Sequence, residues 1–67
     1  MSVARVTEIS ATSEQSLEDA IRQGIERATQ TLRGVTSAWI KEQEVSLRDG
    51  KVAEYKVNML ITFVLKG

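Results

Sequence analysis

The sequence contains no cysteine, no histidine and no proline. Without cysteine there is no disulfide framework and no thiolate nucleophile, and without histidine the chain lacks the common zinc ligand and neutral-pH general base. A chain of 67 residues forms one domain, 1–67, which buries only about 60% of the surface that its unfolded form exposes. Because small domains without disulfides or metals usually gain stability by oligomerising, the sequence predicts self-association.

Charge and hydropathy argue against two classes of partner. Nine basic and nine acidic residues give a formal net charge of zero, unlike the basic surface of a nucleic-acid-binding protein. No apolar run is longer than three residues, as in Met59-Leu60-Ile61, so none is long enough to span a membrane, and the N-terminus lacks the pattern of a secretory signal. We therefore expect a cytoplasmic protein that binds neither nucleic acid nor membrane.

Hydrophobic periodicity and turn residues predict a strand, a helix and a hairpin. The β-branched segment from Val3 to about Ser10 predicts a strand. Thr12, or Ser13 as a nearly equal alternative, is expected to cap a helix of about five to six turns, and Gly34 is expected to close it. The apolar stripe of this helix consists of Leu17, Ala20, Ile21, Gly24, Ile25, Ala28 and Leu32. Its glycine indicates close approach of the helix to a sheet.

The pair Asp49-Gly50 predicts a two-residue type I′ turn that joins two long strands. Such a turn fixes which residues face each other across the hairpin. The expected pairs are Arg48 with Lys51, Gln43 with Lys56, Trp39 with Leu60, and Ser37 with Thr62.

This register assigns the hairpin side chains to two faces. One face is almost entirely apolar and is expected to form a core with the helix, made of Leu17, Ile21, Ile25, Ala28, Ile40, Val57, Met59, Ile61 and Phe63. The opposite face is mixed and is expected to carry Ser37, Trp39, Lys41, Gln43, Val45, Leu47, Val52, Glu54, Lys56, Asn58, Leu60 and Thr62. Because one helix cannot cover both faces, the second face is predicted to meet another subunit or a ligand.

Catalytic groups are scarce. Ser37 and Lys41 lie about 13 Å apart along a strand, too far for direct activation of the hydroxyl, and there is no glycine-rich phosphate loop. The sequence therefore does not predict an enzyme.

Two groups of residues each allow two interpretations. The carboxylates Glu42, Glu44, Asp49 and Glu54, with Glu54 expected on the opposite face from the first two, either hold a hard cation such as Ca²⁺ with symmetry-related chains or provide solubility and pair with lysines and arginines. Trp39 is either an apolar anchor at a subunit interface or a stacking plate for a flat aromatic ligand.

The order of these elements and several short motifs resemble the dodecin family. The motifs are Ala11-Thr12-Ser13, Ala20-Ile21, Glu26-Arg27-Ala28, Thr31-Leu32-Arg33, Glu54-Tyr55 and Phe63-x-Leu65. The resemblance spans almost the whole chain and implies an α+β subunit of βαββ order, in which a three-stranded antiparallel sheet partly wraps around one long helix. It also implies a homo-dodecamer built from trimers that binds riboflavin or FMN non-covalently for storage or buffering.

The residues that would contact a flavin depart from the family pattern. The stacking tryptophan of the family aligns with Ser37, while Trp39 lies two residues later, and the glutamine that hydrogen-bonds the ring aligns with Lys56. Lysine offers donors and no acceptor, so the resemblance implies altered or weakened binding. The predicted cofactor-binding residues are Trp39, Lys56, Ser37 and Gln43, and no metal ligand is assigned. The alternative is a flavin-independent shell that is structural or binds Ca²⁺.

Overall fold

The computed structural model describes residues 2–65, which form one helix and a three-stranded antiparallel sheet. The sheet has the order β1-β3-β2, so the last strand is central. This arrangement confirms the predicted α+β fold. The elements are β1 (Val3–Ser13), α1 (Leu17–Thr31), β2 (Val35–Arg48) and β3 (Lys51–Leu65).

The helix begins later than the sequence predicts. Strand β1 pairs with β3 as far as Ser13, so the prediction of Thr12 or Ser13 as the N-cap is wrong. Ser16 is the cap, and its Oγ accepts a hydrogen bond of 3.0 Å from the backbone N–H of Asp19. This hydrogen bond satisfies a backbone N–H group in the first turn, and its loss would lower the stability of the helix. Helix α1 has 15 residues, about four turns.

The junction of β1 and α1 is held by the buried carboxylate of Asp19. Its Oδ2 accepts hydrogen bonds from Ser13 Oγ at 2.6 Å and from Gln23 Nε2 at 2.5 Å, and its Oδ1 accepts one from Arg22. The Ser13 bond is the main cause of a lowered pKa for Asp19. Burial of the carboxylate acts in the opposite direction and raises the pKa, while the hydrogen bond from Gln23 and the charge and hydrogen bond of Arg22 lower the pKa further.

The hydrophobic core lies between α1 and the sheet. Of the predicted core residues, Leu17 and Phe63 are half-buried and lie outside the buried cluster. The other seven belong to the cluster or pack against it. Met59 occupies the space where a Cβ at Gly24 would lie, 2.5 Å from Met59 Cε, which confirms the close approach of helix and sheet. The fully buried hydrophobic residues are Ala20, Ala28, Val57, Met59 and Ile61.

The predicted turn and most of the predicted register are confirmed. Asp49 and Gly50 both have positive φ, 53° and 76°, as a type I′ turn requires. The pairs Arg48 with Lys51, Trp39 with Leu60, and Ser37 with Thr62 form as predicted. The pairing of Gln43 with Lys56 is wrong.

Two β-bulges explain the difference. Ala53 has no partner between the pairs formed by Ser46 and Leu47, which shifts the register by one residue, and the unpaired Lys41 shifts it back. Glu44, not Gln43, therefore faces Lys56. Since successive strand residues point to opposite faces, the β2 side chains from Glu42 to Arg48 lie on the opposite face from the one predicted, and so does Val52 on β3.

The corrected assignment concerns both faces of the sheet. Gln43 pairs with the buried Val57, so Gln43 lies on the helix side, and by alternation so do Val45 and Leu47. Val52 pairs with Leu47 and therefore lies on the same side of the sheet. Glu42 and Glu44 lie on the other side, which carries Trp39 and which we call the open face because α1 does not cover it.

Helix α1 is connected to β2 through a glycine in the left-handed region. The helix ends at Thr31 with Leu32 as its C-cap, so Gly34 lies two residues beyond the cap and does not itself close the helix as predicted. Its φ is 75°, and its carbonyl oxygen accepts a 2.9 Å hydrogen bond from the N–H of Val64. A Cβ at this position would lie 2.9 Å from the backbone oxygen of Val64.

We expect Gly34→Ala to destabilise the fold more than Gly50→Ala. Both substitutions force an L-residue into a left-handed conformation, at a cost of about 1–2 kcal/mol, but only the Cβ at position 34 meets a backbone atom, because position 50 has nothing within 4 Å. The measurement is urea unfolding of both variants and wild type at one protein concentration. Equal midpoints for the two variants would contradict the close contact with Val64.

We also expect the stability contributed by Asp19 to depend on pH. Since its pKa is lowered in the folded state from 3.8, this contribution is present above pH 3.8 and is lost as pH falls through the lower folded value. The advantage of wild type over Asp19→Asn should therefore shrink on acidification below 3.8. Glu18→Gln, at an exposed neighbouring position, is the control, and an advantage that does not change with pH would refute the prediction.

Candidate functional site

The open face of the sheet is centred on Trp39. The register places Trp39 beside Leu60 of β3, and Leu60 beside Glu8 of β1, so these three form one row across the sheet. The tryptophan is 71% exposed, while Leu60 is half-buried. An exposed indole on a flat sheet is a surface on which an aromatic ring can stack.

The rows on either side of Trp39 differ in polarity. On one side, Ser37 is paired with Thr62, and Thr62 with Val6, which is 54% exposed. On the other side, Asn58 Nδ2 donates a 3.2 Å hydrogen bond to Glu42 Oε1. The tryptophan therefore lies between a small, weakly polar row and a row of hydrogen-bonding groups.

The bulge at Lys41 places an ammonium group close to this centre. Lys41 Nζ lies 3.5 Å from Glu8 Oε1, an ion pair that reaches from β2 to β1 across β3, and both side chains are 47% exposed. Exposed pairs of this kind contribute about 0–1 kcal/mol, so the lysine remains available to an incoming anion. The sequence indicated that Lys41 shares the face of Trp39, but it gave no register for β1 and so did not identify Glu8.

Lys56 lies on the same face but at a distance. It pairs with Glu44 of β2 and with Thr12 of β1, and it is four residues from Leu60 along β3, about 13 Å. A shallow depression of about 210 Å³ adjoins it, lined by Glu42, Gln43, Glu44, Lys56 and Asn58. The side chains of Trp39 and Lys56 in one protomer therefore start from positions about 13 Å apart and do not form one compact site.

The four predicted cofactor-binding residues are thus divided. Ser37, Trp39 and Lys56 lie on the open face, while the register puts Gln43 opposite Val57, on the helix side. Gln43 is exposed because the helix does not reach this part of β2. The role of each of the four in ligand binding stays a prediction.

The carboxylates of the hairpin are also redistributed. Glu42 and Glu44 share a face as predicted, but the bulge at Lys41 moves both to the open face, where Glu54, which pairs with Ser46, lies as predicted. Within residues 2–65, no group of three acidic side chains is close enough to hold a metal ion.

In the same residues, no helix is long and apolar enough to cross a membrane.

Comparison with known proteins assigns the chain to a family. The dodecin family model matches residues 3–66. This chain is a member of the dodecin family. The resemblance inferred from the sequence is therefore confirmed. A separate comparison with curated protein sequences gives no significant match to this dodecin.

Solved dodecin structures agree with this assignment. The dodecin from Streptomyces davaonensis superposes with a TM-score of 0.91 at 38% identity, covering 98% of this chain and 97% of that one. A variant of Thermus thermophilus dodecin gives 0.93 at 33% identity, with all of both chains covered. A calcium-chelating dodecin from Mycobacterium tuberculosis gives 0.81 at 26% identity, with 96% and 91% covered.

Proposed function

We propose that this dodecin is the subunit of a homo-dodecamer, built from trimers, that binds a flat aromatic ligand of the flavin class, riboflavin or FMN. The observation that carries the proposal is the 71% exposure of Trp39 on the face of the sheet that α1 leaves uncovered. The role is storage or buffering and includes no catalytic step. The cytoplasmic location and the lack of nucleic-acid binding expected from the sequence stay predictions.

The shape of the protomer supports its assembly. Its accessible surface is 5249 Å², whereas a compact monomer of 7.4 kDa exposes about 4,200 Å². Its radius of gyration is 13.9 Å, against about 11 Å for a compact domain of this length. The excess of about 1,000 Å² is comparable to the ~800 Å² that each partner buries in a standard interface.

The ligand contacts follow from the chemistry of the open face. The ring of Trp39 fits a flat ligand, and such stacking contributes about 0.5–1.5 kcal/mol beyond the burial of area. Lys41 and Lys56 provide donors for a phosphate or for the electron-rich edge of a flavin, but lysine cannot accept a hydrogen bond. Lys56 lies about 13 Å along β3 from the row of Trp39, whereas Lys41 forms an ion pair with Glu8 of that row.

Binding is expected to be weaker than in dodecins that carry the family pattern. Ser37 lacks a ring to stack, and Lys56 cannot replace an amide that both donates and accepts. Each lost hydrogen bond removes about 0.5–1.5 kcal/mol, and 1.4 kcal/mol is a factor of ten in affinity. Together these losses move a dissociation constant from the nanomolar to about the micromolar range or beyond.

A second function is a flavin-independent shell that binds Ca²⁺. It is favoured by the bulge at Lys41, which brings Glu42 and Glu44 to the face of Glu54, and by the M. tuberculosis relative described as calcium-chelating. No three of these carboxylates approach closely within residues 2–65 of one protomer, so ligands for a cation would come from several subunits.

Titration of riboflavin and FMN, followed by quenching of ligand fluorescence, tests the first function. We expect dissociation constants of about 1 μM or weaker, loss of binding in Trp39→Ala, and partial retention in Trp39→Phe, which keeps an aromatic ring. Nanomolar binding that Trp39→Ala leaves intact would contradict the proposal.

Calorimetric titration with Ca²⁺, compared between wild type and Glu44→Gln, tests the second function.

The same titration on a double variant tests the explanation for weak binding. Ser37→Trp combined with Lys56→Gln should bind flavin more tightly than wild type, because it supplies both missing contacts. Thr36→Trp, at the unpaired neighbour of Ser37 on β2, is the matched control and should not tighten binding. An unchanged affinity in the double variant would show that these two positions do not limit binding.

A further inference from the structure

Among residues 2–65, the charged side chains beside Trp39 on the open face are mostly acidic. Glu8 lies in the same row of the sheet as Trp39, and Lys41 follows two residues further along β2. Glu42 occupies the next row, where Asn58 Nδ2 donates a 3.2 Å hydrogen bond to its Oε1. Two carboxylates and one ammonium group therefore lie close to the indole.

The more distant charges of this face do not reverse that balance. Lys56 is paired with Glu44, so the two oppose each other in charge about 13 Å along the sheet from the row of Trp39. Glu54 lies beyond them and is negative. Arg48, which pairs with Lys51 at the turn, is about 30 Å away, far outside the screening length of about 10 Å at 0.1 M salt.

The ammonium group near Trp39 already has a carboxylate beside it. Lys41 Nζ lies 3.5 Å from Glu8 Oε1. Because such an exposed ion pair is weak, an anion can draw the lysine away from Glu8. The anion then lies close to the released carboxylate and to Glu42. A phosphate near Trp39 therefore gains one positive neighbour and meets two negative ones, in whichever direction Lys41 points.

We propose that the open face selects the uncharged flavin, riboflavin, over its phosphate FMN, and that Glu8 sets this selectivity by neutralising Lys41. This inference rests on the flavin binding in the proposed function and names the preferred ligand within that class. A phosphate monoester carries about −1.5 to −2 charges at pH 7, whereas riboflavin is neutral. The terminal hydroxyl of riboflavin can donate a hydrogen bond to a carboxylate, which only accepts, while a phosphate at that position is repelled.

Dissociation constants of riboflavin and FMN, measured by fluorescence quenching on one protein sample, test the proposal. At about 0.1 M salt, we expect FMN to bind about threefold or more weakly than riboflavin. At about 1 M salt, where the screening length is about 3 Å, the two constants should converge. Equal or tighter binding of FMN at the lower salt concentration would overturn the selectivity and leave flavin binding intact. If neither flavin binds, the proposed function fails and this inference fails with it.

Two single variants test the assignment to the ion pair. Glu8→Gln removes the carboxylate that neutralises Lys41 and should lower the ratio of the FMN to the riboflavin dissociation constant about threefold or more at the lower salt concentration. Lys41→Gln should raise the same ratio. Because the two substitutions act in opposite directions, a general loss of structure cannot produce both results.

Glu18→Gln is the matched control for these variants. It also removes one negative charge, but from an exposed position on α1, on the other side of the sheet from Trp39, and should leave the ratio unchanged. A ratio that stays the same in both Glu8→Gln and Lys41→Gln would overturn the role of the ion pair. So would a shift in Glu18→Gln as large as that in Glu8→Gln.

Discussion

Two compensating β-bulges, at Lys41 and Ala53, determine which side chains of the hairpin act together. A bulge changes the register by one residue and so exchanges the faces of every side chain beyond it. The second bulge restores the register of the pairs near the turn, but the side chains of Glu42 to Arg48 on β2 and of Val52 on β3 all lie on the face opposite to the one predicted. Trp39 and Leu60 lie on the open face as predicted, while Val45 and Leu47 lie on the helix side.

This exchange separates two surfaces with different chemistry. The open face carries the exposed ring of Trp39, Lys41 and Lys56, and the four glutamates Glu8, Glu42, Glu44 and Glu54, whereas the aliphatic side chains of Val45, Leu47 and Val52 lie on the helix side. Without the bulges, Val45 and Leu47 would extend the face of Trp39 and make one mixed surface. With them, the surface around Trp39 and the aliphatic side chains of Val45 and Leu47 lie on opposite sides of the sheet.

Most of the fold could be predicted because it depends on local signals. The Asp49-Gly50 turn follows from the tolerance of both residues for positive φ, and the helix stripe follows from its period. The helix start was misplaced because Thr12, Ser13 and Ser16 are all chemically competent caps. The pairing of β1 with β3 through Ser13, a tertiary contact, selects the last of them.

The candidate site was less predictable, for a physical reason. A bulge at Lys41 or Ala53 requires no particular residue type, so neither position carries a sequence signal, yet each decides the face of several side chains. Trp39 was placed correctly because it lies outside the exchanged segment, whereas Gln43 lies inside it. Glu8 was missed because the pairing of β1 is long-range and no turn residue fixes its register.

The register between the bulges is tested most directly by engineered cysteine pairs in this cysteine-free chain. Partners across an antiparallel pair have Cα atoms about 4.5–5.5 Å apart, within the range that a disulfide spans. The double variant Glu44→Cys, Lys56→Cys should form an intramolecular disulfide on mild oxidation, detected by mass spectrometry of the denatured protein, and Gln43→Cys, Lys56→Cys should not. The reverse result would show that the bulges are absent and would contradict the assignment of both surfaces.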